Sequence, residues 1–518
     1  MQSSTIPLDE TDCFSQLFID YISGKEALQP FYNAYPVIDN FKETIKSRNF
    51  PDGHRQVLVD VLQKQYSGLE TTDLVYENIS RLRNPNTFTI TTGHQLNIFT
   101  GPLYFIYKIV TVIKACQSLK EAFPDCHFVP VYWMASEDHD FEEINHFYFQ
   151  GQKHIWKTNQ DGAVGHFDPS SLAEVAERLP DVAGFFKEAY LQQSLAEAVR
   201  FYVNYLFRDE GLIVLDADDA SLKKILGPVM EEDVFSHTPE KQVNKTSEVL
   251  EKLGYKRQIH AREINFLFLE GTVRERLEQT KNGYKLADDS RHFSENEIKE
   301  LLDKNPEKLS PNVAIRPLYQ EMILPNLAYV GGPSEGTYWL QLKGLFDHFK
   351  IPFPILLPRN FGIFLSERID QKWKKMGLDD SFLFKSVEAN LRQWVLENSP
   401  QSLSFQEEMA DSAKGKKKLV EKAAKVDPTL GPHLESIHTS YINKLEKAQK
   451  KLIRAEKRKY TEKERQFREV NEWIFPEGTL QERKLNFLEF YMADPNFIQG
   501  LLDHFDPFTI KMYLLKAE

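Results

Sequence analysis

Between Thr87 and His146 the chain twice runs a short β-rich apolar stretch directly into a polar, titratable turn, and this pattern constrains the fold more than any other feature. The two stretches read TFTITTGHQLNIFTGPLYFIYK and HFVPVYWMASEDHDFEEINH. Each apolar run, Phe88 to Thr92 and Phe128 to Trp133, ends abruptly, which places the polar residues at the carboxyl end of a buried strand, where open α/β sheets bind ligands. Between them Gly101-Pro102 opens a segment in which Leu103, Ile106, Val110, Ile113 and Leu119 form a helical apolar face. Strand, polar turn, helix and strand follow in the order of a βαβ unit. GLIVLDADD at 211–219 repeats the strand end with Asp216, Asp218 and Asp219. Farther on, Asn326 to Val330, Gly331-Gly332-Pro333, a helix through Tyr338, Leu342 and Phe346, and Pro354 to Leu357 make another strand-helix-strand unit.

The turns carry the candidate chemistry. At the first, Thr92, Gly93, His94 and Gln95, with Gly101, Tyr104 and Lys108 beyond, offer donors and a positive charge to a phosphate or carboxylate. Lys108 has a plainer role open to it, holding its charged tip in water over an apolar stem. At the second, Glu137, Asp138, His139 and Asp140 precede Glu142, Glu143, Asn145 and His146, and a buried version of this cluster needs a partner for every charge. A solvated turn with acids at a helix start is the bland alternative; Trp133 and Met134 just before it point to an enclosed pocket. Glu137, Asp138 and His139 are candidates for a general base, although a carboxylate there also suits a substrate ammonium. Gly331 and Gly332 let backbone approach a ligand or simply turn into a helix, and Glu335 faces the pocket or favours the helix's positive end.

Composition sets the outer bounds. A length of 518 residues implies several structural units. Three cysteines, Cys13, Cys116 and Cys126, with no CxxC spacing, support neither a disulfide framework nor a cysteine zinc site and point to a reducing, cytoplasmic setting. No apolar run nears the roughly 20 residues of a membrane span, and no basic stretch followed by an apolar one opens the chain. Charge is uneven: Lys414 to Arg468 holds 17 Lys and Arg against 7 Asp and Glu, leaving 47 against 69 elsewhere. Lysine on a long helix is a solvated face more often than a nucleic-acid surface, so no nucleic-acid partner is expected. In this basic arm Leu434, Ile437, Tyr441, Leu445, Ala448, Leu452 and Ala455 recur at the spacing of a coiled-coil seam. An upstream helix from Phe405 to Val426 is cut off by Asp427-Pro428 and Gly431-Pro432, which predicts an antiparallel hairpin. The second helix outruns the first, so its seam lacks a full partner within the chain, and dimerisation supplies one.

The runs TTGHQLNIFTGPLYFIYK, PVYWMASEDHDFEEINH, LSPNVAIRPLYQEMILPNLAYVGGPSEGTYWLQLK and IPFPILLPRN, with the opening FSQLFIDYISGKEALQPFY, together resemble the bacillithiol biosynthesis cysteine-adding enzymes. The resemblance spans essentially the whole chain, and one departure is visible: His94-Gln95 stands where the family pattern has two glutamines. It implies an α/β, Rossmann-like core similar to nucleotidyltransferases and class I aminoacyl-tRNA synthetases, with inserted subdomains and a C-terminal antiparallel helical coiled coil. The corresponding division is a first Rossmann-like half at 1–146, a helical insertion at 147–207, a core strand and helix at 208–234, and a lid-like insertion at 235–310. A second half follows at 311–385, then the coiled-coil domain and C-terminal return at 386–518. The implied activity is ligation of L-cysteine to glucosaminyl-malate by a homodimer built through the arm, with ATP and Mg²⁺ activating the cysteine carboxylate by adenylation. No counterpart to the synthetases' lysine-rich phosphate loop follows the last strand, where Leu357-Pro358-Arg359-Asn360 stands, and KQVNKTS at 241–247 has a suitable composition in the wrong place, so ATP use stays open. Two rivals belong to other classes: a Zn²⁺ or Mn²⁺ hydrolase using Asp138, His139, Asp140 and His146, and a non-catalytic dimeric scaffold.

Overall fold

The computed structural model describes residues 1–179 and 183–517. Five strands form the central sheet: β1 (Thr87–His94), β2 (His127–Met134), β3 (Ile213–Asp216), β4 (Asn326–Gly331) and β5 (Ile355–Pro358). Their order is β3-β2-β1-β4-β5 and every pairing is parallel. This is the doubly wound order, whose reversal between β1 and β4 leaves a crevice at the carboxyl ends of those strands. The register sets His94 beside Met134, Met134 beside Asp216 and Gly331 beside Pro358. The polar turns foreseen in separate parts of the sequence therefore share one edge of the sheet.

Period-two alternation divides the sheet between two apolar layers. Phe88, Ile90, Phe128, Val330, Ile355 and Leu357 pack with Val112, Ala115 and Leu119 of the helix Tyr104–Ala122. Val129, Val131, Trp133, Tyr329 and Leu356 face the other way, with Leu318, Trp339 and Leu342. The helix expected through Tyr338, Leu342 and Phe346 is two, Pro333–Leu340 and Lys343–Phe349. Gln341 sits buried at the break, its amide bonded to Ser247, Gln258 and Ile259.

The insertion between β3 and β4 holds a five-stranded antiparallel sheet of Leu309–Pro311, Phe266–Glu270, Val273–Thr280, Gly283–Leu286 and His292–Phe293, adjacent in that order. The strand expected from Ile264 begins at Phe266 because Asn265 is taken by Asp233, which accepts from its backbone amide at 2.6 Å and its side chain at 2.8 Å. The helix expected from Leu191 begins at Leu195, where the Ser194 hydroxyl caps it by accepting from the Glu197 amide. That expected over Leu172 to Leu179 shrinks to Ala173–Ala176.

The chain divides into two compact units. One comprises Met1–Asp9, Cys13–Ile363 and Gln481–Leu515 and contains the sheet; the other comprises Glu10–Asp12, Phe364–Leu480 and the last residues from Lys516. In the second unit Gln406–Ala424 and Leu430–Lys457 form the hairpin, of 19 and 28 residues. Phe405 donates to Gln449 and Ser412 meets His438, so the helices run antiparallel. The seam read from sequence splits. Leu434 and Leu445 are half-buried with Ile442 and Gln449, and Ile453 is buried, whereas Ile437, Tyr441 and Leu452 are 53%, 46% and 36% exposed. The shorter helix selects the face 434-438-442-445-449-453, and the remaining apolar positions form a second, uncovered stripe. Among the described residues no helix is long and apolar enough to cross a membrane.

Candidate functional site

The turn after β1 is held from within. Lys108 is buried, donates to the Gly93 carbonyl at 2.9 Å and pairs with Glu335 at 2.5 Å. Glu335 also accepts from the Gly332 amide at 2.7 Å and the Tyr329 hydroxyl at 2.9 Å. Burial alone pushes its carboxyl upward, but the Lys108 ammonium and the Gly332 amide outweigh that and hold it down at about 2. Of the two alternatives open to Lys108, the reach toward an anion is the one built, and the anion is a protein carboxylate. His94 is driven down to about 3 by burial and then by Lys108, so at neutral pH it is an uncharged ring. It lies 5.3 Å from the Tyr104 ring, and its Nε2 faces the Asn97 amide at 3.1 Å.

Glycine is crowded at one position here and required at another. A Cβ on Gly93 would stand 3.3 Å from the Arg316 guanidinium, and at Gly101, with φ of +61°, it would strike Asn97 at 2.6 Å. Gly101 ends a run in which Phe99 and Thr100 also take positive φ, and Asn486 secures that run by donating to the carbonyls of Phe99 and Gly101. Thr92 donates to Val330 within the sheet, and Gly331 accepts from the Arg359 amide, so both tie the crevice together through local bonds.

The turn after β2 is built differently. Glu137 is backed by Lys223, which is fully buried and lies 2.6 Å from both Glu137 and Asp218 while donating to the Glu307 carbonyl. Burial disfavours the Lys223 charge, yet the two carboxylates reverse that and lift it above its ordinary value. Asp218 in turn meets His166 at 2.9 Å. Asp138 is 29% exposed; its Oδ2 accepts from the Gln95 side chain at 3.1 Å and its Oδ1 from the His139 amide at 2.8 Å. The Arg274 guanidinium donates to Nδ1 of His139 at 2.6 Å, so the proton of the neutral ring sits on Nε2. Asp140 caps the short helix Phe141–Ile144 by accepting from the Glu143 amide. Asn145 and His146 contact each other, and His146 lines a separate hollow with Tyr104, Tyr148 and Arg483.

These turns border a cleft of about 470 Å³ lined by Gly93, His94, Gln95, Trp133, Glu137, Asp138, His139, Tyr329, Glu335 and Tyr338, with Arg262, Arg274, Arg276 and Arg316 on its other side. A second hollow joins His94, Gln95, Tyr104, Lys108, Gly332, Glu335, Arg359 and Arg483. Thus Gln95, His94 and Glu335 border both. Sequence reasoning placed Asp218 at a strand end but missed Arg274, Arg316 and Lys223. Lys223 had a local signal, five residues past the strand-end Asp218, whereas Arg274 reaches the turn only through the pairing of the insertion. Among the described residues no three His, Cys, Asp or Glu side chains gather closely enough to hold a metal ion, and Asp138, His139, Asp140 and His146 are committed to different partners.

A triphosphate needs unanswered cations in the second hollow. Of its cations, Lys108 is answered by Glu335 and Arg359 by Glu482 in a buried pair, which leaves Arg483 to meet an anion.

Residues 1–360 match the family model described as Bacillithiol biosynthesis BshC, N-terminal Rossmann-like domain, and residues 362–517 match that of the BshC C-terminal coiled-coil domain. A Flavobacterium psychrophilum protein named "Putative cysteine ligase BshC" is 40% identical over 100% of both chains. Proteins of the same name from Cytophaga hutchinsonii and Salinibacter ruber are 39% and 29% identical, covering 98% of both chains and 92% of this chain with 91% of the other. A crystal structure of a "putative arginyl t-RNA synthetase" from Campylobacter jejuni aligns at 12% identity over 80% of this chain and 100% of that one, with a TM-score of 0.19, too low to carry an argument.

Proposed function

The chain belongs to the bacillithiol biosynthesis BshC family, and on that premise we propose that it is a carbon–nitrogen ligase joining the carboxyl of L-cysteine to the amine of glucosaminyl-malate. The observation that carries this reading is Asp138, a partly exposed carboxylate at the edge of the 470 Å³ cleft, held by Gln95 from one strand end and by its own turn from the next.

Amide formation joins the amine nitrogen to the carboxyl carbon while that carbon's bond to one carboxyl oxygen breaks, the oxygen leaving as water or with the group that activated it. The ammonium sheds two protons, one before attack and one to the departing oxygen. Asp138 binds the entering ammonium and takes the first of these protons, which frees the nitrogen lone pair for attack. Glu137 is less suited, because it is buried against Lys223, which Asp218 holds as well. His139 cannot accept at Nδ1 while Arg274 donates there, so it orients the turn and offers its Nε2–H. Neutral His94 adds no positive charge beside the incoming ammonium. No step is routed through ATP or Mg²⁺.

The test is reconstitution of the purified protein with L-cysteine and glucosaminyl-malate, with and without ATP and Mg²⁺, following the thiol product and pyrophosphate. The reading expects product. A folded protein that makes none under any activating condition overturns it.

The same family reading includes a homodimer through the arm, supported by the uncovered stripe of Ile437, Tyr441 and Leu452. Placing charge on an apolar seam is strongly unfavourable. The substitution pair Tyr441→Glu and Leu452→Glu is expected to halve the mass seen by light scattering; an unchanged dimer excludes this stripe as the interface.

A further inference from the structure

The turn Val164–His166 lies against the acidic turn: the Val164 amide donates to the Asp138 carbonyl at 2.7 Å and the Gly165 amide to that of Ser136 at 2.8 Å. The approach is backbone on backbone, since a Cβ on Gly165 would stand 2.6 Å from the Ser136 side chain. It brings the His166 ring to Asp218, Nε2 to Oδ2 at 2.9 Å, and from there a line of charges runs inward. Lys223 lies 2.6 Å from Oδ1 of the same carboxylate and 2.6 Å from Oε1 of Glu137, which borders the cleft. The signs alternate along the line, and its members differ in access: His166 is 54% exposed, Lys223 not at all. Imidazole is the side chain whose charge changes near neutrality, and the bond to Asp218 lifts this one above its ordinary 6.5 against the effect of burial. Burial also lifts the Glu137 carboxyl, with Lys223 opposing. The other charges around the line are Asp216 beside His166 and Arg274 beside Glu137, Asp138 and Asp218; the Tyr319 hydroxyl near these carboxylates donates to the Ala217 carbonyl.

We propose that His166 is a positioning residue for the acidic turn, acting through Asp218 and Lys223 on Glu137 without touching substrate. A charged ring answers Asp218, so the Lys223 ammonium serves Glu137, and Asp138 is the carboxylate left for an incoming amine. A neutral ring returns Asp218 to Lys223, Glu137 is answered only in part, and two carboxylates then compete at the same edge of the cleft. The two states differ by one proton on a side chain that meets solvent, which makes the acidic turn responsive to the medium. The coupling stands on the contacts alone; its effect on turnover rests on reading Asp138 as the residue that meets the amine.

Three full-length variants test it: His166→Gln removes the charge, His166→Arg makes it permanent, and Glu137→Gln removes the far end of the line. In thermal unfolding the His166 contribution is present below 6.5 and lost as pH rises through the ring's higher folded value. The wild type is expected to lose melting temperature across that window relative to His166→Gln, and below it the shifts from His166→Gln and Glu137→Gln are expected not to add. Additive shifts overturn the proposal. In ligation, kcat/KM for glucosaminyl-malate in His166→Gln is expected to fall at least about threefold below the wild type on the acid side of the window and to meet it on the alkaline side. His166→Arg is expected to keep the wild type's acid-side value throughout. Profiles that superimpose on the wild type, or an equal loss in both variants at every pH, also overturn it, the second being what a merely structural histidine gives. Should Glu137→Gln not fold, the pH profiles decide alone. Non-additive melting with no ligation product from the wild type under any condition removes the ligase reading and leaves the coupling standing. Product formation with additive melting does the reverse.

Discussion

The turns after β1 and β2 are neighbours on one sheet edge, share the same sequence pattern, and are built for different tasks. At the first, Lys108 and Glu335 are paired inside the protein, and His94 is an uncharged ring among aromatics. At the second, Lys223 holds Glu137 and Asp218 from behind, and Asp138 stays at the cleft, hydrogen-bonded to Gln95 and its own turn with the Arg274 charge nearby. Polar residues at a strand end thus mark a site only where other elements leave one of them unanswered. Which turn is scaffold and which is reagent depends on the lysines behind them.

The comparison breaks most visibly through stability. Lys108→Met strands the Glu335 carboxylate inside and is expected to cost about 3–5 kcal/mol, whereas Lys108→Met with Glu335→Gln costs clearly less. Thermal unfolding checks both, and equal losses would show that the two side chains act independently. The pH dependence is the next largest effect. His94 sits at about 3 in the fold against an ordinary 6.5, so between those values the unfolded chain binds a proton that the native ring refuses. Stability from this residue is present above about 6.5 and falls as pH drops toward 3, by at most about 1.4 kcal/mol per pH unit. His94→Gln is expected to flatten the melting profile in that window; an identical profile means the ring is not the cause. Glu335, held at about 2, loses its contribution only as pH falls from about 4.5 through 2. Smaller still is Asp140→Ala, which removes a helix cap and is expected to cost about 1 kcal/mol while leaving turnover nearly intact. A loss of activity as large as that of an Asp138 variant would place Asp140 in the chemistry.

Much of this contrast was legible in the sequence, and the limit is physical. The abrupt ends of the apolar runs at Thr92 and Trp133 marked the sheet edge because buried parallel strands read as apolar runs. The Leu434 series marked the arm because helical spacing is local, although which of two overlapping stripes is covered depends on the partner helix. Glu335 was seen as a residue at a helix start, but its ion pair with Lys108 joins positions 227 apart in the chain. The arginine wall was invisible for the same reason: the antiparallel insertion carries Arg274 to His139 across 135 positions, and no local period records that. Local pattern therefore gave the edge, and long-range pairing decides which edge residues stay reactive.

The carboxylate proposed to handle the amine in the cleft is Asp138. The most direct test is Asp138→Asn, which removes the charge and keeps the shape, assayed for cysteine ligation beside His139→Gln across pH. Product formation by Asp138→Asn is expected to fall by about 10²–10⁴-fold with stability unchanged to within about 0.5 kcal/mol, while His139→Gln lowers turnover uniformly at all pH values. Near-wild-type turnover by a folded Asp138→Asn protein would contradict the claim.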